Sequence, residues 1–137
     1  MVAELHKPAI DAGLVVSDAN RALRFWRDTI GFPLDEVREL PNGEGKQYRL
    51  RCGDSLVKLL ALSDPPEDTV AGPPRGARGL RYLTIFVRNL DALVESCREA
   101  GYRITMEPQV SPIFPNRIAF VEDPDGNWLE LFESESG

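Results

Sequence analysis

Four side chains able to do chemistry stand at matching places in a repeat. Asp11 and Tyr82 lie 71 residues apart and Lys58 and Glu130 lie 72 apart, one pair opening and the other closing two similar stretches of chain. The first stretch opens on Asp11–Val16 (DAGLVV) and closes on Val57–Leu60 (VKLL); the second opens on Tyr82–Val87 (YLTIFV) and closes on Leu129–Phe132 (LELF). Gathered at one cleft, a carboxylate, an ammonium and a phenol supply a base, an electrophilic cation and a proton donor. Such a set suits proton transfer beside a carbonyl, or stabilisation of an enolate. The alternative is a buried ion pair with a hydrogen-bonded tyrosine, because charges in an interior need partners whether or not they react.

The elements that must position these groups follow from periodicity and punctuation. Residues 9–16 alternate as a strand with one face on a core. Asp18 then offers an N-cap, and Ala22, Phe25, Trp26, Thr29 and Ile30 recur at three- and four-residue spacing until Gly31, predicting an amphipathic helix of about three turns. Phe25 and Trp26 are expected to pack on a sheet. Three strands joined by tight turns follow, over 32–40, 47–52 and 55–62, with turns at Pro41-Asn42-Gly43 and Gly53-Asp54.

Residues 63–79 hold Pro65-Pro66 and Pro73-Pro74 and read as a Pro/Gly-rich linker, long enough to cover a site or cross to a second subunit. The second copy repeats the order: a strand over 80–88, a helix capped by Asn89 or Asp91 and ended by Gly101, then strands over 103–106, 117–122 and 127–133. Pro108, Pro112 and Pro115 are expected to keep residues 107–116 out of any ladder, as a loop over a cleft. The whole predicts an α+β fold in one domain, 1–137, with tandem βαβββ modules at about 8–62 and 80–133.

Period-two alternation places Asp11 with Gly13 and Val15, Lys58 with Leu56 and Leu60, Tyr82 with Thr84 and Phe86, and Glu130 with Trp128 and Phe132. An apolar surface with a few convergent polar groups is what a small-molecule site needs. Asp11, Phe86, Trp128 and Phe132 are therefore candidate ligand contacts, joined by Phe114 from the Pro-rich segment and Arg117 beside it. The other readings are an outward strand residue for Arg117 and a loop anchor for Phe114. His6, the single histidine, is expected at a frayed terminus.

A net charge of −6 argues against nucleic-acid partners, which demand a concentrated basic surface. Arg75 and Arg78 lie in the linker and read as solvated. Cys52 and Cys97 lack the spacing of a zinc or redox pair and are expected as buried thiols. The first eight residues lack an apolar stretch with a basic flank, so neither a signal peptide nor membrane attachment is expected, and a cytoplasmic location follows as an expectation.

Asp123-Pro124-Asp125-Gly126 makes a turn between two antiparallel strands in the closing segment, residues 118–131. With the duplicated layout and the Ser17-Asp18 helix entry, this resembles the vicinal oxygen chelate superfamily, which includes glyoxalase I, bleomycin resistance proteins and extradiol dioxygenases. The resemblance implies half-barrel modules forming a cup, with helices on the outer face, and a homodimer. It also implies inward metal ligands at four positions that here are Asp11, Lys58, Tyr82 and Glu130. The family pattern expects His, Gln or Glu, His, and Glu; only Glu130 matches. A lysine ammonium has no lone pair, and its charge opposes a cation, so no metal cofactor is expected and Lys58 is expected to stand in for it between Asp11 and Glu130.

The first functional reading is a glyoxalase- or bleomycin-resistance-like protein binding a small, partly apolar organic molecule. The alternative is an enzyme of isomerase, lyase or dioxygenase type, with Glu130, Tyr82 and Lys58 as acid/base groups or a weak metal site at Asp11 and Glu130.

Overall fold

Both repeats fold as β-α-β-β-β in the computed structural model, which describes residues 1–134. The chain divides into two compact units, Met1–Glu67 and Asp68–Gly137, with the boundary inside the Pro/Gly-rich linker.

In the first unit β1 (Ala12–Val15) leads into α1 (Ala19–Leu23), whose N-cap is Asp18: its carboxylate accepts from the backbone N–H of Asn20 at 2.8 Å and of Arg21 at 3.3 Å. Two of the helix's orphan donors are thereby satisfied. The helix does not stay α-helical for three turns as the spacing predicts. Arg24–Thr29 form π-helical turns, with Ile30 N–H reaching Phe25 O at 2.9 Å, before Gly31 turns the chain at φ +101°. Widening the turn brings consecutive Phe25 and Trp26 both inward, where they are 0% and 1% exposed. Their rings meet edge to face at 4.9 Å, and Trp26 stacks on Phe32 at 6.1 Å.

Strands β2 (Leu34–Glu39), β3 (Gly45–Cys52) and β4 (Ser55–Leu62) complete a sheet of order β1-β4-β3-β2. β1 runs parallel to β4 and the other pairs are antiparallel. The two-residue turn at Gly53-Asp54 sets the register, pairing Cys52 with Ser55 and hence Arg49 with Lys58.

The second unit repeats this with β5 (Tyr82–Val87), α2 (Leu90–Glu99), β6 (Ile104–Val110), β7 (Arg117–Glu122) and β8 (Trp128–Glu133), in the order β5-β8-β7-β6. Leu90, Leu93, Val94 and Cys97 of α2 pack over Ala119, Val121, Leu129 and Leu131 on one face of the sheet, all of them buried. Asn89 occupies the N-cap position of α2 without a side-chain bond to the helix.

One expectation is corrected here. β6 continues through Pro108 to Val110, so the Pro-rich loop is confined to 111–116. β6 is an edge strand, and its register shifts between Met106 and Gln109, where a missing N–H removes no ladder bond.

The linker is held by Arg81, which donates to Val70 O at 2.5 Å and Pro73 O at 2.9 Å. Cys97 is buried and Cys52 half-buried; both are free thiols, and burial pushes Cys97 up to about 11. No helix among the described residues is long and apolar enough to cross a membrane.

Candidate functional site

The face of the second sheet opposite α2 can be written out row by row from the register. Tyr82, Trp128 and Glu122 form one row across β5, β8 and β7; Thr84, Glu130 and Phe120 form the next; Phe86, Phe132 and Ile118 form the third. Glu130 is thus the central residue of the patch, with aromatic residues at five of the eight surrounding places.

Those rings are joined into two groups. Phe120 meets Tyr82 edge to face at 5.5 Å and Trp128 at 5.6 Å. Phe132 meets Phe86 at 5.3 Å and Phe114, from the 111–116 loop, at 5.8 Å. Between the groups Thr84 Oγ1 donates to Glu130 Oε1 at 2.8 Å, fixing one carboxylate oxygen. Trp128 Nε1 donates to Glu122 Oε1 at 3.3 Å, which sets the indole plane. Phe120 and Ile118 form a buried floor, whereas Phe86 is 70% and Tyr82 47% exposed. The carboxylate therefore stands half-buried among apolar side chains, with the exposed rings on the β5 side.

The turn that closes this sheet locks the register. Asp123 is 4% exposed, and its carboxylate accepts from Asp125 N–H at 3.0 Å, Asn127 N–H at 2.7 Å and Asn127 Nδ2 at 2.9 Å. Burial raises its pKa against these three bonds.

In the first unit Asp11 lies immediately before β1. Its Oδ1 accepts from Lys7 Nζ at 2.7 Å and from Leu56 N–H at 2.8 Å, and its Oδ2 stands 3.6 Å from Lys58 Nζ. The Lys7 ammonium first, and the Leu56 N–H second, hold the Asp11 carboxyl down to about 2. Lys7 had no predicted role, and the only signal for it was its four-residue separation from Asp11.

The alternative of a buried ion pair with a hydrogen-bonded tyrosine is met in part: Asp11 and Lys58 form an ion pair at 3.6 Å, but only half-buried. The Asp11 and Lys58 side chains are 21% and 30% exposed, and Tyr82 engages Phe120 through its ring, with no hydrogen bond to a described residue. Glu130 takes Thr84 as its partner. Arg117 is held by Asp91 through contacts of 3.0 and 2.8 Å and lies 3.5 Å from Glu133. Phe120, Thr84 and Arg49 also sit on the candidate faces; counting back from the Gly53-Asp54 turn would have found Arg49 in the sequence. No group of three or more His, Cys, Asp or Glu side chains arranged to hold a metal ion occurs among the described residues.

Residues 9–131 match the family model described as the Glyoxalase/Bleomycin resistance protein/Dioxygenase superfamily. The chain belongs to this superfamily. The probable lactoylglutathione lyase of Synechocystis is 25% identical over 125 residues, spanning 88% of this chain and 91% of its own. The Escherichia coli protein YaeR is 31% identical over 123 residues, with the same two shares. Among solved superfamily structures, SMU.1112c superposes with a TM-score of 0.79 at 28% identity, covering 94% of this chain and all of that one. Glyoxalase I from Zea mays reaches 0.79 at 23% identity over 92% of this chain and 44% of its own, a likeness of fold.

Proposed function

We propose that this superfamily member binds a small, partly apolar organic molecule on the β5-β8-β7 face, without a divalent metal. The observation that carries this reading is the place of Glu130, a half-buried carboxylate oriented by Thr84 among five aromatic side chains, of which Phe86 and Tyr82 are exposed. The rings provide apolar contact area, and the remaining carboxylate oxygen accepts a hydrogen bond from a ligand N–H or O–H. The metal-free part rests on donor chemistry. Of the four family positions, one is an ammonium and one a phenol, and Asp11 already spends an oxygen on Lys7 and Leu56.

The test uses phenol and anisole, which share a ring and differ in the O–H donor. In Trp26→Phe, Trp128 is the remaining tryptophan of the two and reports on the face. Saturable quenching by phenol, tighter than by anisole, is expected, with the difference abolished in Glu130→Gln. Equal binding of both probes, or none, sinks the reading. Melts of chelator-stripped protein with nickel, zinc, manganese and iron are expected to show no shift that depends on Glu130; a large one refutes the metal-free part.

A second reading, an enzyme, is favoured by the relatives named lactoylglutathione lyase that match along most of their length. Glu130 would then be the base, with Tyr82 as proton donor. Turnover of lactoylglutathione that falls at least a hundredfold in Glu130→Gln would establish it. Absent turnover in the intact chain leaves the binding reading in possession. A homodimer is part of the same proposal and is checked by sedimentation.

A further inference from the structure

The first unit presents the corresponding face of its own sheet with the opposite chemistry. The register aligns Gly13, Lys58, Arg49 and Glu36 in one row, and Val15, Leu60, Gln47 and Arg38 in the next. Lys58 and Arg49 thus stand directly across from each other on antiparallel strands, a position where like charges destabilise a sheet. Both are mostly enclosed, at 30% and 20% exposure.

The neighbouring acids leave them under-neutralised. Asp11 gives its short contacts to Lys7 and Leu56, keeping Lys58 at 3.6 Å, and Glu36 gives its short contact to Arg38 at 2.7 Å, standing 4.0 Å from Arg49. Five cations, Lys7, Arg38, Arg49, Arg51 and Lys58, stand with three anions, Asp11, Asp35 and Glu36, on a chain whose net charge is −6. Their donors are also largely unspent. Lys58 donates no hydrogen bond to a described residue, and Arg49, with five N–H groups, donates one, to Gln47 at 2.6 Å. Gly13 leaves the end of the row open beside Lys58: a Cβ built there would meet only Leu60 Cδ1, at 3.7 Å.

We propose that Lys58 and Arg49 form an oxyanion site on the first unit, taking the carboxylate or phosphate group of a small molecule. An oxyanion between the two cations turns a repulsive pair into two attractive ones, and the guanidinium fork matches two oxygens at once. The floor beside Gly13 is where such a group has room. The site uses residues of the first unit alone, so it stands or falls apart from the reading of Glu130.

The experiment titrates isotopically labelled protein with acetate, inorganic phosphate or chloride at constant ionic strength, following backbone amides by NMR. Saturable shifts centred on Gly13, Gln47, Arg49 and Lys58 are expected with acetate or phosphate and not with chloride; the tighter of the two identifies the carboxylate or the phosphate source. In Arg49→Gln and in Lys58→Met the Kd is expected to rise about tenfold or more. Arg103→Gln, which alters an exposed arginine paired with Glu122, is expected to leave it unchanged. The same spectra show whether each variant is folded, and Arg49→Lys, which keeps the charge, is expected to lose less than Arg49→Gln. No saturation by either oxyanion, shifts matched by chloride, or a Kd indifferent to both Arg49→Gln and Lys58→Met would overturn the proposal. Loss of phenol binding in Glu130→Gln with oxyanion binding intact would separate the two sites.

Discussion

Replacing Asp123 by Ala should unfold the closing turn of the second unit more than any surface change of the same size. The substitution strands the N–H groups of Asp125 and Asn127, which now donate at 3.0 and 2.7 Å, and frees the Asn127 amide. An orphaned buried donor costs about 1–3 kcal/mol. Both N–H groups sit in a half-buried turn, so the lower part of that range applies to each, and the freed amide reaches water at little cost. Relief from enclosing a carboxylate offsets part of the loss. The net expectation is about 2 kcal/mol, or a fall in Tm of roughly 6–10 °C for a chain of this length. Asp123→Asn keeps one acceptor for both N–H groups and removes the buried charge, so it should cost about 1 kcal/mol or less. Burial raises the folded pKa, so ionisation of Asp123 costs stability as pH rises through that value, a slope that Asp123→Asn should abolish. Urea unfolding measures both variants, and Trp128 emission reports whether the β7–β8 register survives. An Asp123→Ala loss under about 0.5 kcal/mol, or an Asn variant as damaged as the Ala one, would refute the reasoning.

Other expectations follow from single contacts. Asp18→Ala removes the α1 cap and should cost about 1 kcal/mol in chemical denaturation. Phe25→Ala opens a void beside Trp26 and should cost about 3–5 kcal/mol. The Asp11 carboxyl is held below its usual 3.8, so the stability it adds is complete above that value and is lost as pH falls toward about 2; Asp11→Asn should flatten this part of an acid-unfolding curve. Gly45→Ala meets the backbone of Ala61 and Leu62 at φ +135°, and should unpair the start of β3 from the end of β4, seen as lost amide protection at Ser63, whose N–H donates to Glu44 O at 2.9 Å.

The fold was legible where local signals agreed with tertiary need. Asp18 caps α1, β4 spans 55–62, and Phe25 and Trp26 are core, because a cap, a two-residue turn and an amphipathic face each act within a few residues. The π-helical turns were not legible, since seating two adjacent bulky rings is a packing demand that spacing of 3.6 does not express. Pro108 misled because a breaker in a central strand is tolerated at an edge, and edge status depends on strand order. At the candidate site, alternation grouped Tyr82, Thr84 and Phe86, and Glu130 with Trp128 and Phe132, on shared faces. It did not reveal that Thr84 holds a Glu130 oxygen at 2.8 Å. Period-two counting fixes which side a residue faces, and cross-strand neighbours come only with the register of a parallel pair 46 residues apart.

That parallel pairing bears on how the chain reaches its native state. In each unit the first strand bonds only to the last, β1 to β4 and β5 to β8, across roughly 45 residues, whereas β3–β4 and β7–β8 are hairpins closed by short turns. Closing a long loop costs chain entropy before any contact rewards it, so the hairpins are expected to assemble first and to serve as the template on which β1 and β5 dock. Truncations at Leu14 and Ile85 should therefore speed unfolding and leave the folding rate nearly unchanged. During synthesis β1, just after Asp11, or β5 in the second unit, leaves the ribosome first within its unit and finds its place last.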